Sequence, residues 1–183
     1  EGALYWMQWA GIDTTVTRRY DNDYTNDFGD RGAWVSAMSG GSHMNPKAEG
    51  KGVPFDLSLA FHTDAGITPN DSIIGTLAIY TLICEGSRKL PDGEDRILGR
   101  VMANDIQSQV VSDLRAQYDT AWSRRMLTDR SYSESRTPPV PSMILELLSH
   151  QNFADMKYGL DPASRFSECR SVYKGILKFL SGR

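Results

Sequence analysis

Apolar residues recur along this chain with two different periods, and the change from one to the other marks out its elements. Residues 3–10 read as the end of a helix stopped by Gly11, and residues 14–17 are a short β-branched strand candidate. The Asp-, Asn- and Gly-rich stretch from Tyr20 to Asp30 is a loop, after which Asp30 caps a predicted helix through Met38 with Trp34 on its apolar face. Polar, glycine-rich Ser39 to Gly52 reads as a surface loop. Residues 55–61 and 75–83 are nearly continuous apolar runs of strand length. From Glu94 to Tyr118, Ile97, Val101, Met102, Ile106, Val110 and Leu114 return at helical spacing. A short strand is predicted at 126–128, and Pro138-Pro139 stiffens the approach to a further strand over 140–146. The last helix runs from Ala163 to Leu180, with Phe166, Cys169, Val172, Tyr173, Ile176, Leu177 and Leu180 expected on its buried face.

Strands alternating with helices predict an α/β fold, a mixed sheet flanked by helices, over a single domain of residues 1–183. At 183 residues the chain is long enough to bury a substantial core. The net charge of −3 argues against a nucleic-acid partner, which selects for a basic face. No run approaches the roughly 18–20 apolar residues of a membrane span. The start has no secretory pattern, and a first residue other than Met reads as an excised piece. Cys84 and Cys169, far apart in sequence, make neither a disulfide framework nor a zinc knuckle and read as buried or partly buried free thiols.

The candidate chemistry lies where polar residues interrupt apolar runs. His62 follows the run 55–61 directly, and Glu146 closes the run 140–146. In α/β sheets ligands gather beyond the carboxyl ends of strands, so both belong to a candidate site. Neutral imidazole is a common metal ligand, and a carboxylate in an apolar run is suited to acid/base work. The plain alternatives are a strand-end histidine bonded to backbone and a glutamate paired with an arginine. Asp64 is either an acceptor that orients the imidazole or a turn carboxylate. His43, in the glycine-rich loop, and His150, four residues after Glu146, are weaker metal candidates. The glycine-rich loop lacks the Gly-Lys-Ser/Thr of a phosphate loop, and no Gly-x-Ser-x-Gly elbow is present.

Together these stretches resemble the zinc-dependent N-acetylmuramoyl-L-alanine amidases of the type 3 family. Ala10-Gly11-Ile12 with Val16-Thr17-Arg18 resembles the family's "aG…V.LTR" strand, and Asp56 to Ala65 is similar to its "ADLFVSIHADA". Gly75 to Thr81 resembles the strand that follows, and Val140 to Glu146 resembles "VPAVLVE". Asn152, Asp155 and Leu160-Asp161-Pro162 fall where the family's tail would put them. The resemblance implies that His62 is a zinc ligand, that Glu146 is the catalytic carboxylate, and that the substrate is peptidoglycan or a related glycan-peptide. It also implies an extracellular, periplasmic or cell-surface location. Nothing before Thr17 supplies the family's other zinc histidine and glutamate, and Leu147-Leu148 replaces its Gly-Phe. The chain is therefore expected to be the C-terminal part of a split amidase domain lacking its first strand or strands, inactive without the N-terminal remainder of that domain. It is similar to golvesin-domain-containing secreted bacterial proteins; some of these carry the label xanthan lyase, which the residues do not support. Two other classes stay open: a metal-free cell-wall or glycan-binding module on an amidase fold, and a polysaccharide lyase or other hydrolase using Tyr132 and Arg130.

Overall fold

The computed structural model describes residues 27–41, 47 and 49–182, together with Trp9 and Gly11. The expected helix over 3–10, the strand over 14–17, most of the loop from Tyr20 and the candidate His43 lie outside the described residues. In chain order the elements are α1 (Asp27–Ser39), β1 (Ser58–Asp64), a 3-10 turn (Pro69–Asp71), β2 (Leu77–Tyr80), α2 (Ile97–Gln117), β3 (Thr128–Asp129), α3 (Ser133–Arg136), β4 (Ser142–Ser149), α4 (Phe153–Gly159) and α5 (Pro162–Ser181). The architecture is α/β, a mixed four-stranded sheet flanked by helices, as the alternation of periods predicts.

The strands lie in the order β1-β4-β2-β3. β2 runs antiparallel to β4, with Leu77 opposite Glu146 and Ile79 opposite Ile144. It runs parallel to β3, with Ile79 beside Thr128. The Ser58 N–H donates to the Pro141 carbonyl at one end of β1, and the His150 N–H donates to the Asp64 carbonyl at the other. Both sequence numbers rise together, so β1 and β4 are parallel.

Contacts group the chain into two compact units, one of Glu1–Leu59, Thr81–Gly99 and Arg130–Ser142, the other of Ala60–Tyr80, Arg100–Asp129 and Met143–Arg183. In the first, α1 begins at Asp27, so Asp30 lies inside the helix rather than capping it. Gly29 does not stop this helix, because tertiary packing outweighs local propensity: Trp34 is fully buried, and α1 lies so close to α3 that a Cβ on Gly32 would meet the Ser133 carbonyl oxygen at 2.4 Å. Arg31 donates to Glu134 at 3.2 Å across the same contact. Arg96 is also buried here; its Nη2 donates to the Arg136 carbonyl, and burial pulls its guanidinium below the ordinary arginine value. Cys84 is buried in this unit, and burial pushes its thiol up. A cleft of about 740 Å³ runs between Gly40, Gly52, Phe55, Pro91 and Pro139.

In the second unit the core stripe of α2 (Met102, Ile106, Val110, Leu114) is buried with Trp122, Met143, Leu145, Val172 and Phe179. The buried side of α5 is made of small and polar residues: Ser164, Glu168, Ser171, Val172, Gly175 and Phe179. This corrects the expected apolar face, for Phe166, Tyr173, Leu177 and Leu180 are exposed, and Cys169 with them. The reason is close packing. A Cβ on Gly175 would lie 2.6 Å from the Ile106 Cα, so the face that approaches α2 must be the small one.

Candidate active site

Two of the strand boundaries move, and the shift matters for the site. β1 runs from Ser58 to Asp64, so His62 is a strand residue rather than the first residue after a strand. β4 runs from Ser142 to Ser149, so Glu146 lies within it rather than at its end. Both strands extend because they pair with each other. The His150–Asp64 bond fixes the register at the end of the strands, so His62 lies beside the Glu146–Leu147 stretch of the neighbouring strand. Alternation gives His62 and Asp64 one face of β1, and Glu146 shares its face of β4 with Leu77, its partner on β2. His62 and Glu146 are each half-buried, and Glu146 Oε2 is shielded from solvent.

The backbone beneath Glu146 is fixed by a buried relay. The Trp122 indole donates to Thr76 Oγ1 at 2.9 Å, and that hydroxyl donates to the Leu147 carbonyl at 2.9 Å. Gln107, fully buried, donates to the Thr76 and Arg125 carbonyls. These bonds hold the Arg125 backbone in place, and the Arg125 guanidinium forms an ion pair with Asp64. Asp64 is thus engaged by an arginine that the sequence reading did not single out. A lone Arg in a polar stretch carries no local signal of its partner.

His150 is exposed, and its Nδ1 lies 3.1 Å from Thr63 Oγ1. Thr63 points away from the face that His62 occupies, so the structure does not bring His150 to this site. Tyr132 is exposed and precedes α3; the Arg130 carbonyl accepts from Thr81 and Ser135. Both belong to the first unit, and His62 and Glu146 to the second.

The end of β4 is clamped by Asn152 and Asp155, whose structural role the sequence did not reveal. The buried Asp155 carboxylate accepts from the Ile74, Gly75 and Ser149 N–H groups. Asn152 caps α4 by accepting from the Asp155 N–H, and its amide donates to the Ser72 carbonyl and Thr68 Oγ1. The spacing Asn-x-x-Asp is a capping signature and could have announced α4. Behind the clamp, Glu168 is buried; burial raises its pKa to about 7, with Asp155 adding to the rise and Arg165 opposing it.

A catalytic zinc uses three protein ligands. Among the described residues no group of three His, Cys, Asp or Glu side chains is placed to hold a metal ion. His62 supplies one imidazole, and Asp64 is occupied by Arg125. The described residues therefore do not by themselves make a zinc site.

No protein-family model matches the sequence, and no curated protein matches it. Solved structures do match. The Ami1 N-acetylmuramyl-L-alanine amidase of Mycobacterium smegmatis superposes with a TM-score of 0.60 at 15% identity, covering 99% of this chain and 73% of that one. The fold is that of an amidase. The CwlD amidase of Clostridioides difficile, solved in complex with the GerS lipoprotein, matches with a TM-score of 0.58 at 16% identity over 99% of this chain and 84% of its own. An N-acetylmuramoyl-L-alanine amidase from Clostridium difficile 630 matches with a TM-score of 0.55 at 14% identity over 70% of this chain; the match spans 59% of that amidase.

Proposed function

We propose that this chain forms part of an enzyme that hydrolyses the amide bond between N-acetylmuramic acid and L-alanine in peptidoglycan, and that the reaction depends on zinc. The observation that carries the reading is the placement of His62 and Glu146 on adjacent parallel strands in an amidase fold. Glu146 is assigned as the general base. A carboxylate in this role takes a proton from an attacking water and returns it to the leaving alanine amine. His62 is assigned as one ligand of the zinc. The reading carries with it an extracellular, periplasmic or cell-surface location.

The test is release of free amines from purified peptidoglycan, beside the zinc content of the same preparations. Glu146→Gln is expected to lower hydrolysis by about a hundredfold or more while leaving zinc content unchanged. His62→Ala is expected to lower both. Product that carries an unsaturated sugar in place of a new amine would assign the protein to lyase chemistry. Peptidoglycan binding with no amine release and no zinc in either form would make it a binding module.

A further inference from the structure

The exposed face of α5 is unusual for a helix that anchors a core. Phe166, Tyr173, Leu177 and Leu180 are 72%, 60%, 48% and 40% exposed. With Cys169 and Ile176 they continue one seam, in which Phe166, Cys169, Tyr173, Ile176 and Leu180 follow one another at intervals of three, four, three and four residues. That is the spacing of the first and fourth positions of a heptad, the narrow stripe through which one helix packs along another. The opposite side of α5 is already used, since Glu168, Ser171, Val172, Gly175 and Phe179 are buried.

The charges beside the seam select among occupants. Lys174 pairs with Asp113 at 2.8 Å and Lys178 with Asp105 at 2.9 Å, so both are neutralised within the molecule. Arg165 and Arg170 flank the seam, one on each side, and are exposed with no ion pair among the described residues. The one acidic residue of α5, Glu168, is buried, where Arg165 acts on it from the helix surface while leaving its own guanidinium exposed. In a parallel pair with a second copy, Arg165 of one helix would face Arg170 of the other, like against like. An antiparallel self-pair would offer neither arginine a carboxylate from α5. A membrane surface calls for a broad apolar face and many basic side chains, and here the seam is narrow and only Arg165 and Arg170 flank it as exposed cations without an ion pair among the described residues.

We infer that this face of α5 docks an amphipathic helix of a protein partner, with apolar residues at heptad spacing and carboxylates on both flanks. The seam fits the partner's apolar ridge, and Arg165 and Arg170 meet its flanking carboxylates, setting register and choice of partner.

The probe is a pair of synthetic helical peptides with leucine at the first and fourth heptad positions, one carrying glutamate on both flanks and the other lysine. Fluorescence anisotropy should show the glutamate peptide binding the wild-type protein, and the lysine peptide binding about tenfold more weakly or not at all. Binding of the glutamate peptide should fall with added salt. Tyr173→Lys with Leu177→Lys should weaken it by about tenfold or more. The double reversal Arg165→Glu with Arg170→Glu should exchange the preference, so that the lysine peptide binds better. All these side chains are exposed, and unchanged far-UV circular dichroism checks that the variants fold. Equal binding of both peptides, binding of neither, or an unchanged preference in the double reversal overturns the inference. So does self-association that Leu177→Lys abolishes, or binding to vesicles of anionic lipid in place of the peptide.

Discussion

Asp155 shows how one side chain can organise the neighbourhood of a site without touching the chemistry. Its carboxylate closes three backbone N–H groups drawn from two distant segments, Ile74-Gly75 and Ser149. Asp155→Ala leaves those donors without an acceptor, and buried orphaned donors cost about 1–3 kcal/mol each. The expected loss is about 3 kcal/mol or more in urea unfolding, with Asp155→Asn intermediate because it keeps one acceptor oxygen. A loss below about 1 kcal/mol would mean that water takes over the carboxylate's place. Glu168 gives a prediction of opposite sense. Its folded pKa is raised to about 7, so between the ordinary carboxyl range and pH 7 the folded state holds a proton that the unfolded state has released. Its contribution is therefore complete at acid pH, declines as pH rises toward 7, and is flat above that. The total is on the order of 3 kcal/mol, and Glu168→Gln should abolish this slope in a comparison of unfolding free energies between pH 4 and 8. At this scale the sequence singles out His62 and Glu146 as candidates, because a polar residue in an apolar strand stands out. It did not disclose the roles of Asp155, Glu168 or Arg125. Their partners are backbone groups, burial, or a residue far away in sequence, and none of these leaves a local pattern.

The elements were legible in proportion to their length. α2 and α5 carry enough turns for a 3.6-residue period to emerge, and both helices lie within a few residues of where the pattern predicts them. α4, at seven residues, is too short for periodicity, and only its Asn152 cap signals it. For α5 the pattern identified the helix and assigned the wrong face to the core. Apolar residues mark what a helix can bury, whereas close approach to another helix demands small residues. Gly175 sits against Ile106 for that reason. Gly175→Val places methyl groups where the Ile106 backbone already lies, and the two helices must separate to admit them. Overpacking of this kind costs about 1–3 kcal/mol. The expected result is a lower urea midpoint with an unchanged slope, and a midpoint equal to wild type would show that α5 and α2 are not in tight contact. Gly99 makes the same demand in the other unit, where a Cβ would meet the Ser142 carbonyl oxygen at 2.7 Å.

For the molecule as a whole, the alternation of strand and helix was enough to give the α/β class, whereas the strand order was not readable. β1 and β4 lie side by side although some eighty residues separate them in sequence. Parallel pairing of that range leaves no mark on local composition, yet it is what puts His62 and Glu146 on neighbouring strands. The two cysteines offer a way to follow the molecule as it opens, because each compact unit holds one. Cys84, in the first unit, is 5% exposed and burial raises its pKa, while Cys169, in the second, is exposed on α5. A thiol reacts as thiolate, so burial slows Cys84 twice over, by excluding the reagent and by keeping the proton on. In native buffer a thiol-reactive chromophore should therefore modify one cysteine per chain promptly, and Cys169→Ser should remove that fast phase. The second cysteine should react at the rate at which its surroundings open, and both should react at once in concentrated denaturant. If Cys84 becomes reactive at urea concentrations where circular dichroism still reports a folded sheet, the unit that holds it opens ahead of the rest; if the two signals coincide, the chain unfolds as a single cooperative body. Prompt reaction of both thiols in native buffer would contradict the burial of Cys84 and the packing of the first unit around it.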